Sequence, residues 1–292
     1  MTKNSIQFEA IGTHWQIDIL DSSVLDQTNF FTKIKNRIEK FEQTYSRFRE
    51  DSWLSKMVSK PGNYVLSDDA KPLFDLYYDL YALTQGVFTP LIGKTLVDAG
   101  YDAKYSLKQK EIITKPLPWE DVLDYDFPNL TVKQKTVLDF GACGKGYIID
   151  IVSQMLIDSN INYFCVDAGG DIFYQNNGQE KMRVGLENPN DFSQVIGVAE
   201  ICNQSICASS GSRRKWGKFN HIINPKTLES SKDVLATWVI ADSAMLADAL
   251  ATCLYMVDKE ILLEVYSFQY VILYADNNVD VSKDFHGELF FV

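Results

Sequence analysis

Asp248 and Thr252 stand four residues apart in the run Ala247-Asp248-Ala249-Leu250-Ala251-Thr252. On a helix that spacing stacks a carboxylate and a hydroxyl on one face. Both are hard oxygen donors of the kind Mg²⁺ takes, and Mg²⁺ usually shares its shell with substrate phosphates. The pair could therefore hold a metal against a phosphate. Such residues also occur in amphipathic helices as solvated or locally bonded side chains, so the rest of the chain has to decide.

Leu138 to Tyr147 reads LDFGACGKGY, a glycine-rich strand-to-helix turn with one lysine. Its glycines let backbone approach a ligand, a helix start presents N–H groups, and Lys145 can set positive charge on a phosphate. It matches neither the Walker A pattern nor GxGxxG. A phosphate cradle and an ordinary tight βα connection both fit. In Asp167-Ala168-Gly169-Gly170-Asp171, paired glycines mark a close backbone approach or a hairpin turn, and Asp171 could accept hydrogen bonds from a heterocycle or ribose. Ser210-Gly211 precedes the basic cluster Arg213-Arg214-Lys215. His221 follows within Phe219-Asn220-His221-Ile222-Ile223-Asn224-Pro225, where it could be catalytic or a satisfied core residue.

Hydrophobic periodicity supplies the elements that must position these groups. Ile6 to Leu20 reads as a strand pair broken at Gly12-Thr13. Phe30, Ile34, Ile38 and Phe41 recur at helical spacing, and a second helix is expected from about Asp68 to Thr84. Tyr101 to Leu130 contains Pro116, Pro118 and Pro128 and reads as loops and short strands. Thr136 to Phe140 reads as a strand, Gly141 to Gly146 as a turn and Tyr147 to Ile157 as a helix. Further strands are expected at Ile161 to Val166, Arg183 to Leu186, Val195 to Ile201, Phe219 to Ile223, Thr237 to Ala241 and Tyr270 to Tyr274, with Asp242-Ser243 capping the helix that carries Asp248. The alternation argues α/β or α+β.

The chain has 292 residues, 46% of them hydrophobic, enough for one large domain or two closely packed subregions. Its 39 acidic against 28 basic residues give a net charge of -11, which disfavours nucleic acid as a partner. The five cysteines form no CxxC pair, an odd count that suits a reducing compartment. No stretch approaches a membrane span, and no apolar signal core follows Met1. The expected location is the cytoplasm, or outside it if a leader had been removed.

Taken together, the segments resemble the ApbE family, the FAD:protein FMN transferases. The family's LDLGGIAKGY is answered by Leu138 to Tyr147, its GGD by Gly169 to Asp171, its SGxYRR-like segment by Ser210-Gly211 with Arg214, and its HIIDP by His221 to Pro225. ADALAT is matched letter for letter at Ala247 to Thr252. FSRFxxDSxLSxLN has a counterpart in Tyr45 to Val58, and TDGxFDPxxGxL in Thr84 to Leu96. The chain departs from the family pattern at Met57-Val58, where the family has Leu-Asn. It also departs at Thr89 and Asn224, where the family has Asp, at Leu228, where it has Gly, and at Ser212, often Asp.

The resemblance implies an α+β fold of mixed sheets with packed helices, a T-fold-related architecture spanning residues 1–292 with flavin in a cleft. It implies Mg²⁺-dependent transfer of FMN from FAD to a Thr or Ser hydroxyl of an acceptor flavoprotein, with AMP released. By similarity, the Ala142 carbonyl, Asp248 and Thr252 would hold the metal. Lys145, Gly169, Gly170, Asp171, Ser210, Gly211 and Arg214 would line the FAD site, and His221 and Asp248 would serve catalysis. Two alternatives remain: a Mg²⁺-dependent pyrophosphatase splitting FAD into FMN and AMP, and a non-catalytic FAD-binding protein. AMP production without acceptor marks the first; FAD retained intact marks the second.

Overall fold

The computed structural model describes residues 4–20, 27–178 and 180–290. In chain order the elements are β1 (Asn4–Ala10), β2 (Thr13–Ile19), α1 (Gln27–Tyr45), α2 (Trp53–Val58), β3 (Gly62–Val65), α3 (Lys71–Leu83), α4 (Gly93–Ala99), α5 (Trp119–Val122), β4 (Leu123–Asp126) and β5 (Asn129–Val132). There follow α6 (Gly144–Asp158), β6 (Tyr163–Ala168), β7 (Asp171–Asn176), β8 (Met182–Asn188), β9 (Asp191–Ile201), β10 (Gln204–Ser210), β11 (Lys215–Trp216), β12 (Phe219–Asn220) and β13 (Val234–Ala241). The chain closes with α7 (Ala244–Cys253), α8 (Lys259–Leu263), β14 (Gln269–Tyr274), β15 (Val279–Val281) and β16 (Gly287–Leu289).

An eight-stranded sheet, in the order β1-β2-β6-β7-β10-β13-β14-β15, organises the fold, and every neighbouring pair in it is antiparallel. Its two faces are both buried, and strand alternation divides the side chains between them. Along β13, Val239 and Ala241 face a core built on α1, α3, α6 and α7, while Ala236, Trp238 and Ile240 face a second core completed by Leu186, Ile196, Ala199 and Ile201 of β8 and β9. Helices thus cover one face and the small β16-β9-β8 sheet covers the other.

Amphipathic spacing accounts for α1, whose Ile34, Ile38 and Phe41 are buried as their periodicity requires. The β1–β2 turn uses Ile11 and Gly12, both at positive φ, one residue earlier than expected. From Asp68 the chain makes a 3-10 turn before α3 begins at Lys71.

Three expectations are corrected. Thr136 to Phe140 is extended but joins no ladder: the Thr136 amide donates to the Val58 carbonyl and that of Asp139 to the Pro90 carbonyl, so the end of α2 and the start of a 3-10 turn hold it rather than a neighbouring strand. α6 starts at Gly144, not Tyr147, which puts Lys145 and Gly146 in its first turn. The strand expected at Phe219 to Ile223 shrinks to Phe219–Asn220, because the chain then turns through an isolated bridge between Ile223 and Ser230. Among the described residues, no helix is long and apolar enough to cross a membrane.

Candidate active site

α7 is buried almost throughout, and its small side chains allow α6 to come close. A Cβ on Gly146 would lie 2.1 Å from the Ala244 carbonyl oxygen, so only glycine permits this crossing. Three acceptor atoms serve the amides at the start of α7 that have no partner within the helix: Ser243 Oγ accepts from the Leu246 amide (3.2 Å), and the Asp150 carboxylate of α6 accepts from those of Ala244 (2.7 Å) and Met245 (2.9 Å). Burial pushes the Asp150 carboxyl up to about 6 although both amides oppose the shift.

The crossing delivers Asp248 to the glycine turn: its Oδ2 accepts the Gly146 amide at 3.0 Å, joining segments 102 residues apart. Asp248 is buried, and burial raises its carboxyl pKa against the pull of Lys145, the Gly146 amide and Arg214. Thr252, one turn on, sets its hydroxyl 3.2 Å from Ser209 Oγ of β10. Carboxylate and hydroxyl therefore share one face of α7, as their spacing requires.

A residue pair given no role in the sequence reading holds the glycine turn from the other side. Arg47 and Asp139 form a buried ion pair across 92 residues, and the free carboxylate oxygen, Oδ1, accepts the Gly141 amide at 2.6 Å. Arg47 also donates to the Tyr101 carbonyl (3.0 Å) and lies against the rings of Phe48 and Tyr101. The guanidinium thus joins the chain after α1, the chain after α4 and the turn containing half-buried Ala142. Ser46-Arg47-Phe48 and Asp139 both lay inside the motifs quoted above; only their pairing was illegible.

Lys145 forms an ion pair with buried Asp171, whose Oδ1 accepts the Ala208 amide at 3.0 Å. Gly169 and Gly170, both at positive φ, make the two-residue turn between β6 and β7, and a Cβ on Gly169 would meet the Thr13 hydroxyl. Hairpin geometry is sufficient reason for both glycines. Gly211 donates its amide to the Tyr255 hydroxyl (3.1 Å), while Ser210 Oγ accepts the Ser212 amide (3.2 Å). Arg214 donates to the Tyr101 hydroxyl (3.1 Å).

His221 lies with its ring 6.3 Å from that of Tyr101, and its Nδ1 is buried with no hydrogen-bond partner among the described residues. Burial, aided by the Arg214 and Lys145 charges and opposed by Asp139, pushes the imidazole down to about 4. It is neutral near pH 7, with an unspent nitrogen. The charges of Lys145 and Arg214 act on both Asp248 and His221, which places these four residues in one neighbourhood.

Each departure from the family pattern has a local setting. Thr89 caps a 3-10 turn by accepting the Leu91 amide (3.2 Å). Val58 is core. Asn224 Oδ1 accepts the Lys226 amide (2.9 Å) at the head of a turn in which Leu228 is held at φ 60.

The donor set suits a hard cation. Asp248 is a buried carboxylate whose only hydrogen bond among the described residues comes from the Gly146 amide, and Thr252 and Ser209 add hydroxyls beside it. No cluster of three or more His, Cys, Asp or Glu side chains able to hold a metal occurs among the described residues. Such a shell would be completed by backbone, phosphate and water oxygens, which is the habit of Mg²⁺ rather than of zinc.

The chain is 25% identical to the FAD:protein FMN transferase of Vibrio cholerae over 274 residues, covering 86% of this chain and 80% of that one. It is 25% identical to the Haemophilus influenzae protein of the same name, covering 94% and 87%. A third relative so named, from Rhodobacter capsulatus, is 25% identical over 195 residues, which span 37% of its length. In structure, the flavin transferase ApbE of Vibrio cholerae superposes with a TM-score of 0.82 at 20% identity, and the ApbE protein of Thermotoga maritima with 0.84 at 20%; each match covers 97% of both chains. These neighbours share the α+β fold described above. Residues 11–272 match the sequence model of the ApbE family, and the chain belongs to that family.

Proposed function

We propose that this chain transfers FMN from FAD to a Thr or Ser hydroxyl of an acceptor protein, releasing AMP, and that it needs Mg²⁺ to do so. The observation that carries the reading is the bond from the Gly146 amide to Asp248, which places an oxygen-rich helix face against a glycine turn bearing a lysine. The relatives' shared name supplies the flavin.

Asp248 and Thr252, with the Ala142 carbonyl, would hold the cation. Mg²⁺ bound there would neutralise diphosphate charge and favour departure of the leaving phosphate. Lys145 and Arg214 add fixed positive charge where negative charge accumulates. His221, neutral at pH 7, accepts the proton of the attacking hydroxyl, and the negative diphosphate beside it raises its basicity. The hydroxyl oxygen forms a bond to the FMN phosphorus, the bridging P–O bond to the adenylate breaks, and AMP leaves with that oxygen. Asp171 steadies Lys145. Gly169, Gly170, Ser210 and Gly211 shape the wall that the flavin nucleotide lies against.

Intact-mass spectrometry of the purified chain with FAD, Mg²⁺ and candidate acceptors tests this. An acceptor carrying covalent FMN, with stoichiometric AMP, is expected. Asp248→Asn keeps the acceptor atom for the Gly146 amide and should leave the fold intact while lowering transfer at least about 100-fold. Undiminished transfer by that variant overturns the metal assignment. AMP formed equally fast without acceptor overturns transfer in favour of hydrolysis.

A further inference from the structure

Between α4 and α5 the chain runs over the surface beside the candidate site, and it is built unlike an ordinary loop. Residues 102–117 carry Lys104, Lys108, Lys110 and Lys115 against Asp102 and Glu111, a positive stretch in a chain of net charge -11. Lys110 is paired with Asp98; the other three lysines have no ion pair among the described residues. The same stretch exposes Tyr105, Leu107, Ile112 and Leu117, with Ile112 75% exposed. Apolar side chains concentrated at the surface beside a site mark an interaction surface.

The stretch is also held in shape. Asp98 is buried and binds Lys94, Lys110 (2.9 Å) and the Thr114 amide (3.2 Å), while Thr95 donates to the Thr114 carbonyl (2.6 Å). Asp102 accepts the amides of Lys104 (2.9 Å) and Ser106 (3.1 Å). Tyr105 and Leu107 stand at φ 49 and 52, a region that side chains other than glycine occupy at a cost. At its inner end the Tyr105 ring stacks on Phe48 (5.4 Å) and meets Tyr101, whose ring neighbours His221 and whose hydroxyl accepts from Arg214. The stretch therefore begins, at Tyr105, next to the place where an attacking hydroxyl has to arrive.

We propose that residues 102–117 are the docking surface for the acceptor protein, and that they fit an acceptor segment in which acidic and large apolar side chains flank the target hydroxyl. The proposal rests on the transferase reading. Lysines set free of internal partners steer an acidic segment, and Tyr105, Leu107, Ile112 and Leu117 receive its apolar residues.

The test uses a short fluorescent peptide with a central threonine flanked by Asp, Glu and Leu, a counterpart with Lys in place of the acidic residues, and phosphatidylserine vesicles. Fluorescence anisotropy should show the acidic peptide binding the intact chain at least about tenfold more tightly than the basic one, with affinity falling as salt rises. The triple variant K104E/K108E/K115E should lose that preference, and I112S/L117S should weaken the acidic peptide about tenfold. Neither variant should alter FAD binding, read by quenching of flavin fluorescence. Acidic-peptide binding that is absent, or unchanged in both variants, overturns the proposal. So do lysine-dependent capture by the vesicles without peptide binding, which indicates a membrane surface, and concentration-dependent dimers broken by the same variants. Peptide binding with no covalent transfer to any acceptor would sink the transferase reading and leave the docking surface standing; efficient transfer with an unaltered acceptor KM in K104E/K108E/K115E would do the reverse.

Discussion

The crossing of α6 and α7 and the rim formed by residues 101–117 and 210–228 contribute to one site by opposite means. At the crossing, backbone meets backbone: Gly146 lies against Ala244, Asp150 binds the first amides of α7, and Asp248 reaches across to the glycine turn. At the rim, position comes from turn chemistry and stacked rings: Asp102 and Asn224 cap turns, Leu228 sits at positive φ, and Tyr101 bridges Arg214 and His221. Close packing leaves the first region little freedom to vary. The second can exchange residues while keeping its turns, and there Ser212, Asn224 and Leu228 depart from the family pattern.

The largest effect expected falls on the link between the regions. Arg47→Ala would strand Asp139 as a buried charge without its partner, costing about 3–5 kcal/mol in urea-unfolding experiments. Arg47→Lys should recover part of it, because a lysine restores the charge but not the second donor on the Tyr101 carbonyl. A cost below about 1 kcal/mol for the alanine variant would mean that the crossing and the rim stand independently.

Stability against pH separates the regions by sign. Asp150, raised from its ordinary 3.8 to about 6, binds a proton more tightly folded than unfolded; its contribution is complete below pH 3.8 and is lost as pH rises through 6. His221, lowered from 6.5 to about 4, does the reverse: its contribution is present above 6.5 and is lost as pH falls through 4. Between pH 4 and 6 the two trends oppose each other. Melting temperatures of Asp150→Asn should therefore rise more steeply with pH than those of the parent, and those of His221→Gln should rise less or fall. Parallel curves for all three proteins would remove the electrostatic distinction.

The smallest effect concerns the rim alone. Leu228→Gly relieves a left-handed residue at the position where the family has glycine. It should change stability by about 1 kcal/mol or less, in the stabilising direction. A clear loss would show that the half-buried Leu228 side chain, not its turn, matters there.

How much of this was legible beforehand follows the same division. Asp248 and Thr252 were readable because helical spacing is local, and the helix cap at Ser243 was correctly placed. Sequence places the start of α6 three residues late because glycines look like turn residues, whereas Gly144 and Gly146 are inside the helix, the second for the sake of close approach. Strands β7 and β10 are not legible in the sequence: the first directly follows a glycine turn, and the second, reading QSICASS, has no strong β pattern and is held between two partners. Arg47 with Asp139 could not have been paired, since nothing in local sequence reports a contact across 92 positions.

With Asp150 and Ser243 already occupying the amides at its start, α7 is anchored at that end, and tilting it would break three hydrogen bonds at once. The two oxygens further along it then behave as a ruler of fixed length rather than as two adjustable arms. A ruler of that kind favours a small ion that insists on regular octahedral geometry and disfavours a larger one such as Ca²⁺, which relies on ligands that can spread. For the Mg²⁺ proposed above, that preference would trace to the stiffness of one helix end.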